Sequence, residues 1–228
     1  MTDIQPSRTV AQIVTDHPAS ARLFAEHKID FCCHGDVPLG DACAERGLDV
    51  DDFLTRLRAA ASVEPRESER SITEASTPEL IAHIVSRHHA YLRRVLPAIE
   101  PLVEKVARVH HAHEPRLPAL LAEVRDLRAE LEPHLDDEES DLFPMLMSRN
   151  SNPARIARRL TETREEHEDV GRSLARIRAL TGDFAVPDWA CGSYRLMIAE
   201  LLSLEEDTLR HVHLENHVLM PRFARRGS

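Results

Sequence analysis

The stretch LRAELEPHLDDEESDLFPML, residues 127–146, points most directly to a helical fold with a polar site in its core. Leu131 precedes the interruption of an apolar stripe that has helical spacing, and Leu142 resumes that stripe. Between them, His134 and Glu138 stand where apolar residues are expected. Residues four positions apart share one face of a helix. The pattern therefore predicts a long amphipathic helix whose core face holds a His-x-x-x-Glu pair.

The same spacing recurs near the C-terminus, where His211 and Glu215 interrupt a second apolar stripe. Two further amphipathic segments each carry a histidine in the middle of the stripe, His167 in one and His88 or His89 in the other. Short loops join the four segments. This arrangement predicts an up-down-up-down four-helix bundle, and the cores of such bundles commonly hold metal sites.

The composition favours an all-α fold without a nucleic-acid or membrane partner. Aromatic residues make up only 4% of the chain, and glycine is sparse at 7 residues. The formal net charge of −10 is unsuited to binding a phosphate backbone. No stretch approaches the roughly 18 uninterrupted apolar residues of a membrane span, and the start MTDIQPSRTV does not resemble a signal peptide. We therefore expect a cytoplasmic protein.

The chain is expected to divide into two domains and a linker. Residues 1–62 form a small helical domain, in which Cys32 and Cys33 lie in a non-helical turn. Residues 63–76 lack apolar periodicity and are interpreted as a linker, and residues 77–228 form the bundle. A homodimer is one option, because a small domain buries little surface alone.

Two carboxylates in one core are costly to bury unless positive charge compensates them. A metal supplies that charge. Imidazole and carboxylate donors suit first-row ions, and two glutamates able to bridge favour a dinuclear site over a single tetrahedral zinc. Iron is the leading candidate.

Two competing interpretations need no metal. Glu138 belongs to the acidic run of residues 136–139, which fits a solvated flank, and His167 alone fits an ordinary core histidine. The repeated His-x-x-x-Glu spacing counts against the first interpretation, and the histidines in the middle of the three other helices count against the second. His213 and His217 fall off the apolar stripe, so we expect them on the surface or next to the ligands.

Several motifs of this chain resemble the RIC family (repair of iron centres), di-iron proteins of which YtfE and ScdA are typical. The matching motifs are Asp30-Phe31-Cys32-Cys33, His89 with Leu96-Pro97, His134 to Glu138 before Leu142-Phe143-Pro144, Glu166-His167-Glu168, and His211 to Asn216 before Leu219-Met220-Pro221-Arg222. The resemblance covers nearly the whole chain. It implies a small ScdA-like N-terminal domain followed by a hemerythrin-like four-helix bundle.

The resemblance also implies two non-haem iron ions that are bridged by carboxylates, with an oxo bridge as a further option. The implied ligands are His89, His134, Glu138, His167, His211 and Glu215, and the spacing to Pro97 selects His89 over His88. Oxygen-carrying hemerythrins have a further histidine and an aspartate where this chain has Gly171 and Asn216. With fewer protein ligands, exogenous ligands have room.

The implied function is the repair of iron-sulfur clusters damaged by nitrosative or oxidative stress. Iron donation or nitric oxide chemistry, including its reduction, would carry out the repair on damaged iron-sulfur proteins. Cys32 and Cys33 are implied to be a thiol redox or iron-transfer site, against the alternative of an inert pair. The alternative function is a hemerythrin-like protein that binds or senses oxygen or nitric oxide. A di-iron oxidase is disfavoured, because ferritin-like enzymes use Glu-x-x-His pairs.

Overall fold

The computed structural model of the chain describes residues 4–61, 72–148 and 150–224. Regular structure within these ranges is helical, apart from one isolated β-bridge between Thr9 and Pro38. This confirms the all-α prediction. Most of the predicted linker, residues 62–71, lies outside the described ranges.

Helices follow one another along the whole described chain. The first are α1 (Val10–Asp16), a 3₁₀ turn (Pro18–Ser20), α2 (Ala21–Glu26), α3 (Leu39–Glu45), α4 (Val50–Ala61) and α5 (Thr77–His83). A first π segment (Ile84–His89) leads into α6 (Ala90–His110), and α7 (Leu117–Asp137) is followed by a second π segment (Glu138–Leu142) and α8 (Phe143–Met147). The last are α9 (Pro153–Leu180), α10 (Gly192–His213), a third π segment (Leu214–Leu219) and α11 (Pro221–Ala224).

The chain forms two compact units. The first, here called the terminal unit, contains the described residues up to Ile84 and those from Leu209 onward. The second, the bundle unit, is Val85–Thr208.

An apolar cluster holds the terminal unit together. Phe24 and Phe53 are fully buried in it, and their rings meet at a centroid distance of 5.7 Å. Val212, from the C-terminal part of the chain, belongs to the same cluster and is 3% exposed. Residues near both ends of the sequence therefore share one core.

Four antiparallel helices build the bundle unit: α6, α7, α9 and α10 up to Thr208. Their directions follow from pairs of contacting side chains. These pairs are Arg93–Asp136 and Arg125–Glu104 between α6 and α7, Arg159–Asp137 and Arg176–Glu123 between α7 and α9, and His88–Asp207 and Lys105–Ser193 joining the first π segment and α6 to α10. In each pairing, rising numbers on one helix meet falling numbers on the other. The predicted up-down-up-down order is confirmed.

Capping residues mark the starts of two helices. Asn152 caps α9, and its Oδ1 accepts a hydrogen bond from the Ala154 amide at 2.9 Å. Ser76 and Glu79 form a capping box at the start of α5. The last long helix, α10, begins at Gly192, after a turn in which the Ala190 amide bonds to the Pro187 carbonyl.

Three π segments interrupt the long helices, and the sequence pattern did not predict them. A π segment bonds each amide to the carbonyl five residues earlier, and such segments are frequent at functional sites. Each of the three contains one residue identified as a candidate ligand: His89, Glu138 or Glu215.

Among the residues that the structure describes, no helix is both long enough and apolar enough to cross a membrane.

A buried ion pair links α9 to α10 inside the bundle unit. Arg178 and Glu205 form two hydrogen bonds, one of them from Nε to Oε1 at 2.9 Å. Their side chains are only 13% and 4% exposed. Burial raises the pKa of Glu205, and Arg178 opposes that shift.

Replacing Arg178 alone should therefore destabilise the protein. In Arg178→Met the Glu205 carboxylate stays buried without its counterion, and we expect a loss of about 3–5 kcal/mol in the free energy of unfolding, measured by urea denaturation. The double variant Arg178→Met/Glu205→Leu should recover most of the loss. Wild-type stability in the single variant would contradict this account.

Candidate metal centre

The two candidate glutamates share an unusual backbone geometry. The carbonyl of Glu138 accepts a hydrogen bond from the amide of Phe143, five residues later. The carbonyl of Glu215 accepts one from the amide of Met220, again five residues later, at 2.8 Å. The repeated His-x-x-x-Glu spacing is thus accompanied by a repeated π geometry, one copy in each unit.

In the bundle unit, three imidazoles surround the carboxylate of Glu138. Its Oε2 lies 3.4 Å from Nε2 of His89. Its Oε1 lies 3.4 Å from Nε2 of His134 and 3.8 Å from Nε2 of His167. The two oxygens therefore face different imidazoles. Ligand atoms that share a first-row cation at about 2.0–2.1 Å stand roughly 3.0–3.4 Å apart, so most of these spacings are those of a common ion.

Burying the Glu138 carboxylate costs free energy unless a cation compensates its charge. The residue is 1% exposed, and neither oxygen accepts a hydrogen bond from any residue that the structure describes. Leaving a buried carboxylate without such a partner costs several kcal/mol. The imidazole and carboxylate donors around it fit a first-row divalent ion. The residues therefore fit a metal.

Further carboxylates contact two of these histidines from the opposite side of the ring. Nδ1 of His89 lies 2.9 Å from Oε1 of Glu139, and Nδ1 of His134 lies 2.7 Å from Oε2 of Glu166. The hydrogen bond with His134 lowers the pKa of Glu166. Burial would raise the pKa of Glu139, but the bonds with His89 and Arg93 outweigh it and lower the pKa.

The sequence analysis assigned no role to Glu139 or Glu166. Both lie in charged stretches that look solvated, and the only signal is that each is adjacent in sequence to a candidate ligand. Helix packing inside the bundle unit brings them to the histidine rings.

The terminal unit holds the second His-Glu pair. Nε2 of His211 lies 3.0 Å from Oε1 of Glu215, and each residue is 1% exposed. An i, i+4 pair on one helix face explains this contact. Glu215 is therefore a second deeply buried carboxylate with an imidazole beside it.

Other histidines near the candidate ligands make different contacts. His88 is buried as well, but its Nδ1 lies 3.1 Å from Asp207, whereas its neighbour His89 faces Glu138. The surface position considered for His213 was wrong, since this residue is 4% exposed. Burial lowers the pKa of His213 to about 4, so the ring is neutral near pH 7.

A cavity of about 350 Å³ lies beside His134 in the bundle unit. Its lining residues are Glu130, Pro133, His134, Asp137, Glu166, Asp169 and Val170. Asp137 and Asp169 in this lining form ion pairs with Arg159 and Arg172, so part of its negative charge is compensated.

The two adjacent cysteines lie in a tight turn of the terminal unit, which Asp30 organises. Its Oδ1 accepts hydrogen bonds from the amides of Cys32 and Cys33, each at 2.9 Å, and its Oδ2 lies 2.9 Å from Nδ1 of His34. Burial would raise the pKa of Asp30, but these hydrogen bonds outweigh burial and lower it. The turn is non-helical, as predicted.

The two thiols differ in their surroundings. The sulfur atoms are 3.5 Å apart, and Cys32 is buried while Cys33 is partly exposed. The hydrogen bond with Cys33, burial and the nearby Asp30 charge raise the pKa of Cys32 well above its usual value. Cys32 is therefore held as a thiol. None of the four cysteines forms a disulfide.

Side chains next to the His211 and Glu215 pair hold this turn in place. Nδ2 of Asn216 donates to the carbonyl of Cys32 at 2.9 Å, and Nδ1 of His213 donates to the carbonyl of Phe31 at 3.0 Å. Asn216 stands where oxygen-carrying hemerythrins are expected to have an aspartate ligand. In this chain its side-chain amide anchors the cysteine turn instead.

Asn216→Asp should loosen the cysteine turn. The new carboxylate would face the Cys32 carbonyl oxygen, and losing a buried hydrogen bond costs about 1–3 kcal/mol, which is roughly a 5–150-fold change in the equilibrium for opening the turn. We expect at least several-fold faster reaction of the turn's thiols with Ellman's reagent in a Cys191→Ser background. Asn152→Asp is the matched control, because aspartate caps a helix as well as asparagine does. An unchanged rate in Asn216→Asp would refute the anchoring role.

Comparison with known protein families assigns both parts of the chain. Residues 6–61 match the ScdA_N model, which is described as a domain of unknown function. Residues 80–223 match the hemerythrin HHE cation binding domain, a range that includes every candidate ligand from His89 to Glu215.

Relatives of similar length cover almost the whole chain. The iron-sulfur cluster repair protein YtfE of Dickeya chrysanthemi is 35% identical over 96% of this chain and 97% of its own. The iron-sulfur cluster repair protein ScdA of Staphylococcus haemolyticus is 32% identical over 94% of this chain and 97% of its own. A probable iron-sulfur cluster repair protein of Haemophilus influenzae is 31% identical over 93% of this chain and 95% of its own. The resemblance inferred from the motifs is confirmed, and the chain belongs to the family of iron-sulfur cluster repair proteins that includes YtfE and ScdA.

Proposed function

We propose that this protein repairs damaged iron-sulfur clusters by means of a di-iron centre. The proposed ligands are His89, His134, Glu138, His167, His211 and Glu215. The observation that carries the proposal is the buried Glu138 carboxylate, whose two oxygens face different imidazoles. The names of the relatives support the same function.

Glu138 is suited to bridge two ions. His89, which faces Oε2, and His134 and His167, which face Oε1, are the residues that would hold the metal together with this carboxylate. One carboxylate would thus supply negative charge to both ions.

His211 and Glu215 are included because they repeat the features of the first pair. Their spacing, their burial and the π geometry of the glutamate are those of His134 and Glu138. A second carboxylate would offset the charge of a second ion.

Bound iron would supply exchangeable ferrous ions and one-electron redox couples at this site. The protein itself would hold neutral imidazoles as donors to the metal and exclude water from Glu138. It would also supply few enough ligands for the iron ions to exchange. Iron donation to a cluster that has lost iron is the activity that these features favour.

Cys32 and Cys33 are proposed as a thiol redox or iron-transfer site. Cys33 is the partly exposed member of the pair, so a client protein or small reagent would reach it first. The anchoring by Asn216 ties this turn to the chain segment that carries Glu215.

The remaining assignments are also proposals. The partners would be damaged iron-sulfur proteins, with nitric oxide or oxygen as small ligands, in the cytoplasm of a cell under nitrosative or oxidative stress. A homodimer and nitric oxide reduction stay open. The alternative, an oxygen or nitric oxide binding or sensing protein, is less well supported, because Gly171 and Asn216 replace two residues expected in oxygen carriers.

The repair activity can be tested on an iron-sulfur dehydratase whose cluster has been damaged by peroxide. We expect the iron-loaded wild-type protein to restore dehydratase activity and Glu138→Gln to restore less than a tenth as much, because the neutral amide removes the bridging charge. Metal content per chain should fall in parallel.

Asp126→Asn, an exposed position on α7 away from the candidate ligands, is the matched control and should behave as wild type. Full repair by a Glu138→Gln variant that lacks iron would contradict the proposed function.

A further inference from the structure

We propose that Glu139 and Glu166 are positioning residues that fix which ring nitrogen His89 and His134 present to the metal. This inference rests on the proposed di-iron centre and deepens it. It is carried by two short contacts within the bundle unit, from Nδ1 of His89 to Glu139 at 2.9 Å and from Nδ1 of His134 to Glu166 at 2.7 Å.

The chemistry of the carboxylate decides the protonation of these rings. An ionised carboxylate only accepts hydrogen bonds, so the Nδ1 atom facing it must carry the proton. A neutral imidazole has one N–H and one lone pair, so the lone pair then lies on Nε2. In both histidines Nε2 is the atom that faces Glu138.

The same contacts also orient the rings. Without an acceptor at Nδ1, a ring can rotate or change tautomer and withdraw the Nε2 lone pair from the metal. Carboxylates that bind the outer nitrogen of a ligating histidine raise its basicity as well, and their loss typically costs 10–100-fold in metal affinity.

The two carboxylates differ in their other partners. Glu139 also accepts a hydrogen bond from Arg93 at 3.0 Å, and Arg93 in turn pairs with Asp136 at 2.7 Å. Glu166 forms a hydrogen bond with His134, and the charges of Arg159 and His167 lower the pKa of its carboxyl further. The Glu139 oxygen that contacts His89 also accepts the Arg93 hydrogen bond, so Glu166 should have the larger effect on its histidine.

Anaerobic titration of the full-length apoprotein with Co²⁺ tests this inference, with binding followed by calorimetry and by the visible d–d spectrum. We expect the wild type to bind two ions. In Glu166→Ala one of the two should bind about 10–100-fold more weakly and with an altered spectrum, and Glu139→Ala should show a smaller loss.

Glu166→Gln separates orientation from charge, because its amide oxygen still accepts the Nδ1 proton. It should lie between the wild type and Glu166→Ala. Glu165→Ala, an exposed neighbour on the same helix, is the control and should bind as wild type.

One outcome would overturn the positioning role, and a different outcome would overturn the di-iron proposal. If Glu166→Ala folds and binds both ions with wild-type affinity and spectrum, the positioning role is overturned. If the wild type itself binds no pair of ions, the di-iron proposal fails before any variant is compared.

Discussion

A carboxylate buried in an apolar core is the constraint on which the rest of this structure depends. Glu138 and Glu215 are each 1% exposed, and a charge so placed needs compensation that apolar side chains do not provide. The imidazoles beside both glutamates are suitable co-ligands for a cation that supplies it. The imidazoles and the carboxylate inside the bundle unit therefore fit a metal, and helical bundles commonly carry one.

The backbone and the surrounding side chains adapt to that constraint. A π segment at each glutamate changes the helical register locally, which is a rare departure from regular helix. Carboxylates at the outer nitrogens of His89 and His134 hold the rings, and Asn216 anchors the cysteine turn beside Glu215. Features that look separate in the sequence are thus joined by hydrogen bonds within each unit.

Much of the fold and of the candidate site could be predicted from the sequence. The helical period of 3.6 residues shows which polar residues interrupt an apolar stripe and therefore lie on the core face. That reasoning identified the four helices and the repeated His-x-x-x-Glu pair. It could not separate His88 from His89, which are adjacent, nor detect the π segments, which shift the register without altering the composition. Glu166 was missed because only the packing of neighbouring helices brings its exposed chain position to His134.

Iron stoichiometry tests the di-iron account most directly. Full-length protein loaded anaerobically with ⁵⁷Fe should hold two irons per chain, and after oxidation its Mössbauer spectrum should show an antiferromagnetically coupled pair. One iron, no iron, or two magnetically independent irons would contradict the account. The burial of the two glutamates would then have no explanation.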